Sequence, residues 1–287
     1  MQRNFPDNRE EEGGMNLFEV NEETCMQDGI CAEVCPVRVI AFENGAYPRP
    51  VADAEDLCLR CGHCVAVCPT GSLSHCAILP EHCPPVDQEL GISAEAAAQF
   101  LRGRRSIRVY KDRIVPQEDL QRLIELARYA PSGHNSQGAR WIVLGKSNLH
   151  SLAGTVVDWM RWVIAHKPDL AASMHLERTV QRWEDGEDVV LRNAPAVIIA
   201  HAPADDRFAP STCTLALSYL DLAATALGLG TCWAGYFTAA ATFPPMKAAL
   251  DLPAGHQVFG SMMVGYPAFS YQRLPSRKTP EILWRLS

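Results

Sequence analysis

The chain has 287 residues, 47% of them hydrophobic, which is enough for two domains and at least one real core. Its net charge of −7 is unevenly spread: positions 1–90 hold 16 acidic and 5 basic residues, leaving 17 and 21 for the remainder. Nothing is basic enough to suggest a nucleic-acid partner, and the mildly basic half suits a phosphate-bearing ligand better. Eleven cysteines could build a secreted disulfide framework, but the opening MQRNFPDNREEEGG lacks the basic and apolar regions of an export signal. A cytoplasmic, reducing setting is therefore expected, in which thiols are better read as metal-cluster ligands. The longest apolar stretch, 215–237, carries Asp221 and ends in a glycine-rich turn, so it reads as a buried helix and not a membrane span.

Residues 1–14 are polar, with a run Glu10-Glu11-Glu12 before Gly13-Gly14, and are expected to form a mobile leader; Met15 offers a second start. Phe18 to Val20 reads as a short strand. It leads into Cys25-Met-Gln-Asp28-Gly-Ile-Cys31-Ala-Glu-Val-Cys35-Pro36, and 33 residues on stands Cys58-Leu-Arg-Cys61-Gly-His-Cys64-Val-Ala-Val-Cys68-Pro69. The later run has the C-x2-C-x2-C-x3-C-P spacing that holds a [4Fe–4S] cluster. Structural zinc would prefer two C-x2-C knuckles with a longer spacer, or completion by histidines.

In the earlier run Asp28 occupies the place of the second cysteine. A carboxylate matches the thiolate's charge but is a harder ligand and should grip iron less firmly. The site is then an Asp-ligated [4Fe–4S] cluster or a [3Fe–4S] cluster. The other reading is a surface aspartate in a turn before Gly29. Cys76 and Cys83 lack motif spacing and lie among Pro80, Pro84 and Pro85, as linker thiols would.

The paired runs resemble the bacterial two-cluster ferredoxins over residues 15–78. In that family each run gives three ligands to one cluster and its last cysteine to the other. The resemblance implies one cluster on Cys58, Cys61, Cys64 and Cys35, and a second on Cys25, Cys31, Cys68 and Asp28. So short a segment cannot bury enough apolar surface to be stable alone, so the clusters are expected to hold it together. His63 and His75 lie near the second run, where they either tune its potential or face water. Residues 79–92 read as a linker to a second domain, 93–287.

Ser93 is a plausible N-cap for a helix through Leu101, with Glu95 in its first turn. Next comes Arg102-Gly-Arg104-Arg105-Ser106-Ile-Arg108, either a solvated basic turn or an anion site gripping phosphate through charge-assisted hydrogen bonds. A helix starting with Pro116 at N1 follows, its apolar face made by Leu120, Leu123, Ile124 and Ala127. After Pro131 comes the loop Ser132-Gly133-His134-Asn135-Ser136-Gln137, then a strand Trp141–Leu144. Ala194 to Ala202 is a continuous apolar run, as expected of a central strand, with His201 near its end in a structural role. Ser211 could cap a helix from Leu215 to Leu229, apolar nearly all round and suited to a subunit interface. Gly228-Leu-Gly230-Thr231-Cys232-Trp233-Ala234-Gly235 follows, then a last strand, 257–265, and Pro275-Ser276-Arg277-Lys278.

RRSIR, a helix ending in APSGHNSQ, a strand, and GLGTCWAG in that order resemble the FMN-dependent nitroreductase family over about residues 98–285. The resemblance implies an α+β domain with a mixed sheet flanked by helices, paired as an interwoven homodimer with FMN between the subunits. Arg104, Arg105, Ser106 and Arg108 would hold the phosphate, ribityl chain and pyrimidine edge, with Arg277 and Lys278 at the distal phosphate. Pro131, Ser132, Gly133, Asn135 and Gln137 would come from the partner subunit, although Gly138 replaces the family's usual proline. Cys232 and Trp233 would line the flavin, and the backbone N–H groups of Ala234 and Gly235 would face its N5 and O4. Cys232 has no neighbouring base and is not expected to act as a nucleophile. Trp159, Met160, Trp162, Met174 and Trp183 would either roof the flavin or pack helices.

Taken together these readings describe a flavin oxidoreductase with its own electron supply. Electrons from a low-potential donor such as a ferredoxin would pass through two clusters to FMN and on to a small organic acceptor. Nitroaromatics and quinones are the default acceptors, with activated alkenes and halides open, since fold and cofactor do not decide substrate. Two rivals stand beside it: an NAD(P)H-fed reductase with structural clusters, and a non-enzymatic relay or redox sensor docking a protein. No membrane partner is expected.

Overall fold

In the computed structural model, which describes residues 16–286, the chain divides between Gly91 and Ile92 into two units. The expected leader, 1–14, lies outside the described residues. In the first unit, β1 (Phe18–Val20) leads to α1 (Ile30–Glu33), β2 (Ile40–Ala41) and β3 (Arg49–Pro50). Then come α2 (Ala54–Leu57), α3 (His63–Val67) and β4 (Leu73–His75). The elements pair antiparallel as β1 with β4 and β2 with β3, so each cysteine run sits between a strand of one hairpin and a strand of the other.

The two runs share one backbone path. Gln27 and Gly29 have φ of 52° and 71°, and Arg60 and Gly62 have 48° and 73°. These left-handed residues bracket Asp28 in one run and Cys61 in the other, and each glycine caps the short helix that follows. The core is small, with Leu17, Phe18, Val39, Ile40, Ala54, Val65 and Leu73 packed beside Cys31 and Cys35. Cys83, expected as a linker thiol, packs against that core, and the stretch after β4 forms single 3-10 turns at Pro80–His82 and Gln88–Leu90.

The second unit opens with α4 (Ala94–Gly103), where the Ala96 N–H donates to Ser93 Oγ at 3.2 Å as a cap. Its helix α5 (Gln117–Ala127) begins one residue later than expected, with Pro116 outside it in extended conformation. Then follow β5 (Arg140–Gly145), α6 (Lys146–His166), α7 (Pro168–Ser173) and α8 (Leu176–Glu184). The unit continues with β6 (Ala196–Pro203), α9 (Ala209–Ala226), β7 (Gly230–Trp233), α10 (Gly235–Ala240), α11 (Pro244–Leu250) and β8 (His256–Gly265). The sheet runs β5-β6-β8-β7 with antiparallel neighbours, and an isolated parallel bridge from Ser106 to Thr231 makes it mixed.

β6 is interior to the sheet and covered on both faces. Ala196, Ile198, Ala200 and Ala202 pack toward α5 and α9, while Val197 and Ile199 pack toward α6, as the strand's two-residue period requires. Helix α9 starts six residues earlier than expected. Pro210 fits its first turn, where an N–H would lack a partner anyway, and Asp206 Oδ1 accepts the Phe208 N–H at 2.8 Å. Ser211 is therefore inside the helix, its hydroxyl donating to the Phe208 carbonyl, and is not the cap. Among the described residues no helix is long and apolar enough to cross a membrane.

Because Ile198 is fully buried at the centre of the sheet, Ile198→Ala should lower stability by about 2–5 kcal/mol. Denaturant titration followed by circular dichroism reads this as an earlier midpoint for the second unit.

Candidate functional site

Short covalent spacings place the ligand residues of the first unit, and the fold sorts them. One cavity is lined by Cys35, Cys58, Cys61 and Cys64, together with Leu17, Ile40, His63 and His75. The other is lined by Cys25, Asp28, Cys31 and Cys68, with Gly29, Ile30, Pro48 and Leu73. Each cavity thus takes three donors from one run and the last cysteine of the other. Among the described residues no three His, Cys, Asp or Glu groups converge closely enough for a single metal ion. Four such donors around each cavity can hold an iron–sulfur cluster.

Backbone amides already point at the sulfurs. Val39 N–H donates to Cys35 Sγ at 3.4 Å, Arg60 N–H to Cys58 Sγ at 3.4 Å and Ser72 N–H to Cys68 Sγ at 3.2 Å. Burial pushes the Cys64 thiol up to about 11, with neighbouring Cys61 and Cys58 adding to the rise against its backbone N–H bonds. Burial raises Cys31 and Cys58 as well, each against a backbone donor. Thiols in this state stay protonated unless a cation joins them, and iron is such a cation. Asp28 is exposed, and its Oδ1 accepts the Ile30 N–H at 3.2 Å.

In the second unit the arginine-rich segment is fastened to the sheet edge. Ile107 N–H donates to the Thr231 carbonyl at 2.8 Å, and buried Ile107 fills the space where any Cβ on Gly230 would collide. The Tyr110 hydroxyl then bonds the Ile107 carbonyl at 2.7 Å; burial, and next the charge of Cys232, raise its pKa. Arg102, Arg104, Arg105 and Arg277 line one cavity of about 410 Å³ with Leu101, Leu274 and Pro275. Arg105 Nε is buried and lacks a hydrogen-bond partner, with its guanidinium 5.6 Å from the Tyr271 ring centre. Four guanidiniums and an orphaned buried donor fit a phosphate. Arg108 turns its guanidinium to the Ser106 carbonyl at 3.4 Å, and neither it nor Lys278 lines the cavity.

Sequence reasoning missed the group that positions Arg104. Asp221, only 8% exposed, accepts from Arg104 Nη1 through Oδ2 at 3.2 Å, and its Oδ1 accepts the Thr231 hydroxyl. Burial raises this carboxyl's pKa, while Thr231 and Arg104 oppose the rise. One signal was present, a lone charge inside the apolar α9 sequence. Arg102 was also passed over as a cavity residue.

The backbone after β7 narrows an expectation. The Ala234 N–H donates to the Ser261 carbonyl at 2.9 Å, so it is already engaged. Gly235 is exposed with open space around it and is left as the N–H donor of that pair. Cys232 is buried and Trp233 is 40% exposed. Trp159 and Met160 are core residues, whereas Trp162 is 40% exposed and stacks on His166 at 4.9 Å. Trp183 stacks on His150, and Met174 packs at the edge of the core. His201 is buried and faces His256, Nδ1 to Nδ1 at 3.0 Å.

Pro131 to Gln137 form a tight loop, with His134, Asn135 and Gln137 left-handed and the Gln137 N–H bonded to Ser132 Oγ at 3.0 Å. Gly133 lets the Phe208 ring pack against the backbone, because a Cβ there would strike it. Asn135 and Gln137 side chains bond one another at 3.3 Å. This loop enters β5, at one edge of the sheet, while the arginine segment lies along β7, at the opposite edge. Three strand spacings, about 14 Å, lie between those edges, so one chain does not bring the two groups together.

Residues 101–266, more than half of the chain, match the nitroreductase family, and residues 24–73 match a 4Fe-4S dicluster domain. The chain belongs to the nitroreductase family and carries an N-terminal 4Fe-4S dicluster domain. A putative NADH dehydrogenase/NAD(P)H nitroreductase of Archaeoglobus fulgidus is 26% identical over 178 residues, 60% of this chain and 86% of that one. A nitroreductase of Bacteroides fragilis, solved with bound FMN, is 24% identical and superposes with a TM-score of 0.51 over 64% of this chain and 94% of its own. An FMN-bound nitroreductase of Desulfitobacterium hafniense is likewise 24% identical, with a TM-score of 0.52 over 66% and 96%.

Removing the buried carboxylate should show directly in stability. Asp221→Ala leaves Arg104 unpaired and the Thr231 hydroxyl unsatisfied, at a cost of about 2–4 kcal/mol. Thr231→Val should cost about 1 kcal/mol, and denaturation midpoints of both variants check the order.

Proposed function

We propose that the protein is an iron–sulfur flavoprotein oxidoreductase that carries electrons from a low-potential donor to FMN and on to a small organic acceptor, such as a nitroaromatic or quinone. The observation that carries this reading is the sorting of eight donors into two cavities, in a chain whose larger part belongs to the nitroreductase family. When bound, the clusters would supply single electrons and FMN would pass them on in pairs.

The chain's own residues supply binding, orientation and charge. Arg104, Arg105 and Arg277 would clamp the phosphate of FMN, with Arg104 held in place by Asp221. Ser106, beside Thr231 at the head of the strand that ends in Trp233, would hold the ribityl chain. The Gly235 N–H would stabilise negative charge on the reduced ring, on the logic of an oxyanion hole. Asp28 would serve as the eighth cluster donor, because the left-handed residues on either side of it repeat those on either side of Cys61.

A homodimer would complete the flavin site by bringing the Pro131–Gln137 loop of one subunit to the arginines of the other. Exposed apolar side chains support such pairing. Phe269, Leu283, Trp284 and Leu286 are 70–84% exposed in a segment without regular structure, and Leu215 and Tyr219 stand out from α9.

Anaerobic stopped-flow tests the whole reading. Reduced ferredoxin should bleach the flavin and support turnover of a nitroaromatic or quinone at least tenfold faster than NADPH; equal or faster reduction by NADPH would refute cluster-fed chemistry. Arg105→Ala and Arg277→Ala should each weaken FMN binding at least tenfold, as a lost charge-assisted pair of about 1.5–3 kcal/mol requires, measured by fluorescence titration. Asp28→Ala should raise the [3Fe–4S] electron paramagnetic resonance (EPR) signal and Asp28→Cys should abolish it.

A further inference from the structure

The imidazole of His75 ends β4 and is 2% exposed. A tight turn fixes its backbone: His75 N–H donates to the Ile78 carbonyl at 3.0 Å, and Ile78 N–H returns to the His75 carbonyl at 2.9 Å. The ring bridges two fixed groups. Its Nδ1 lies 3.0 Å from the Ala77 backbone N–H, and its Nε2 lies 3.4 Å from Cys58 Sγ.

The first contact decides the second. A ring nitrogen that accepts an N–H carries no proton itself, so the proton of a neutral imidazole must sit on the other nitrogen. With Nδ1 thus an acceptor, the Cys76 thiol 3.8 Å away is left to donate to it. His75 therefore presents Nε2–H to the sulfur of Cys58. The second cavity has no imidazole among its lining residues, and its Cys68 sulfur receives the Ser72 N–H and faces the Thr70 hydroxyl.

Building on the assignment of the two cluster cavities, we infer that His75 is a potential-setting residue: its Nε2–H donates to the Cys58 thiolate and raises the reduction potential of the centre held by Cys35, Cys58, Cys61 and Cys64. Uptake of one electron at that centre adds one negative charge and no proton. A hydrogen bond to a ligand sulfur stabilises the more negative state more strongly, so the reduced form gains. The donor acts through Cys58 and does not ligate iron. Its fixed tautomer makes it a permanent donor, and the two centres are unequal by construction.

The test uses the anaerobically purified full-length protein, with iron and sulfide analysed first. An EPR-monitored dithionite titration of His75→Leu should show one centre shifted to lower potential by about tenfold in its reduced-to-oxidised ratio, ~59 mV for a one-electron couple. The other centre should stay where it is. His75→Gln, whose carboxamide can still donate, should recover most of the shift. Hyperfine spectroscopy (HYSCORE) of reduced wild type labelled with 15N-histidine should detect an imidazole nitrogen that disappears in His75→Gln. An unshifted His75→Leu, equal shifts at both centres, or no histidine coupling in the wild type overturns the inference alone. If His75→Leu loses iron, the wild-type spectrum and His75→Gln decide. Wild type without iron overturns the cluster assignment itself.

Discussion

Negative donors crowded together repel, and the first unit crowds seven thiols and a carboxylate around two cavities. Its apolar core offers little to set against that repulsion, being a handful of aliphatic side chains and Phe18 around two of the cysteines themselves. Binding iron removes the conflict: thiols that burial keeps protonated can ionise, and the charge that would have split the unit becomes what closes it. Every backbone detail around the cavities serves that end. Left-handed residues before each short helix turn the chain so that donor side chains face inward, and amides of Val39, Arg60 and Ser72 meet the sulfurs.

The second unit handles charge in the opposite sense. It gathers guanidiniums and leaves a negative group to be supplied from outside. Within the chain Asp221, buried on α9, offsets one of the four and holds Arg104 in place. Gly230 matters for the same reason, because only a residue without a side chain lets Ile107 lie flat against the strand. Arg104, Arg105 and the N–H of Gly235 are thus placed by a single strand and the segment laid beside it.

Much of this could be read from residue order. Cysteine spacing announces the clusters and the ferredoxin resemblance implies the exchange of last cysteines that sorts the donors between the two cavities, while the continuous apolar run of β6 announces a strand covered on both faces. The order of RRSIR, APSGHNSQ and GLGTCWAG pointed to the family before any geometry. What stayed hidden depends on partners distant in sequence or on competing local bonds. Asp221 meets Arg104 across 117 residues, and nothing near it says so. Ser211 has a cap's chemistry, yet Pro210 and Asp206 start the helix earlier. The Ala234 N–H is claimed by Ser261 from a neighbouring strand, a competition that GLGTCWAG cannot reveal. For His75, proximity to the cluster was legible, but its direction came only with the Ala77 contact.

The sheet's opposite edges carry the Pro131–Gln137 loop and the arginine segment, the two halves of the proposed flavin site, and with the proposed pairing this has a genetic consequence. A chain damaged only in its Pro131–Gln137 loop and another damaged only at Arg105 would each be inactive as pure assemblies. Mixed in one cell, they would form hybrids in which one pocket inherits both lesions and its twin inherits none. Half-active offspring from two dead parents would therefore be the natural outcome of a chain that never owns a whole pocket.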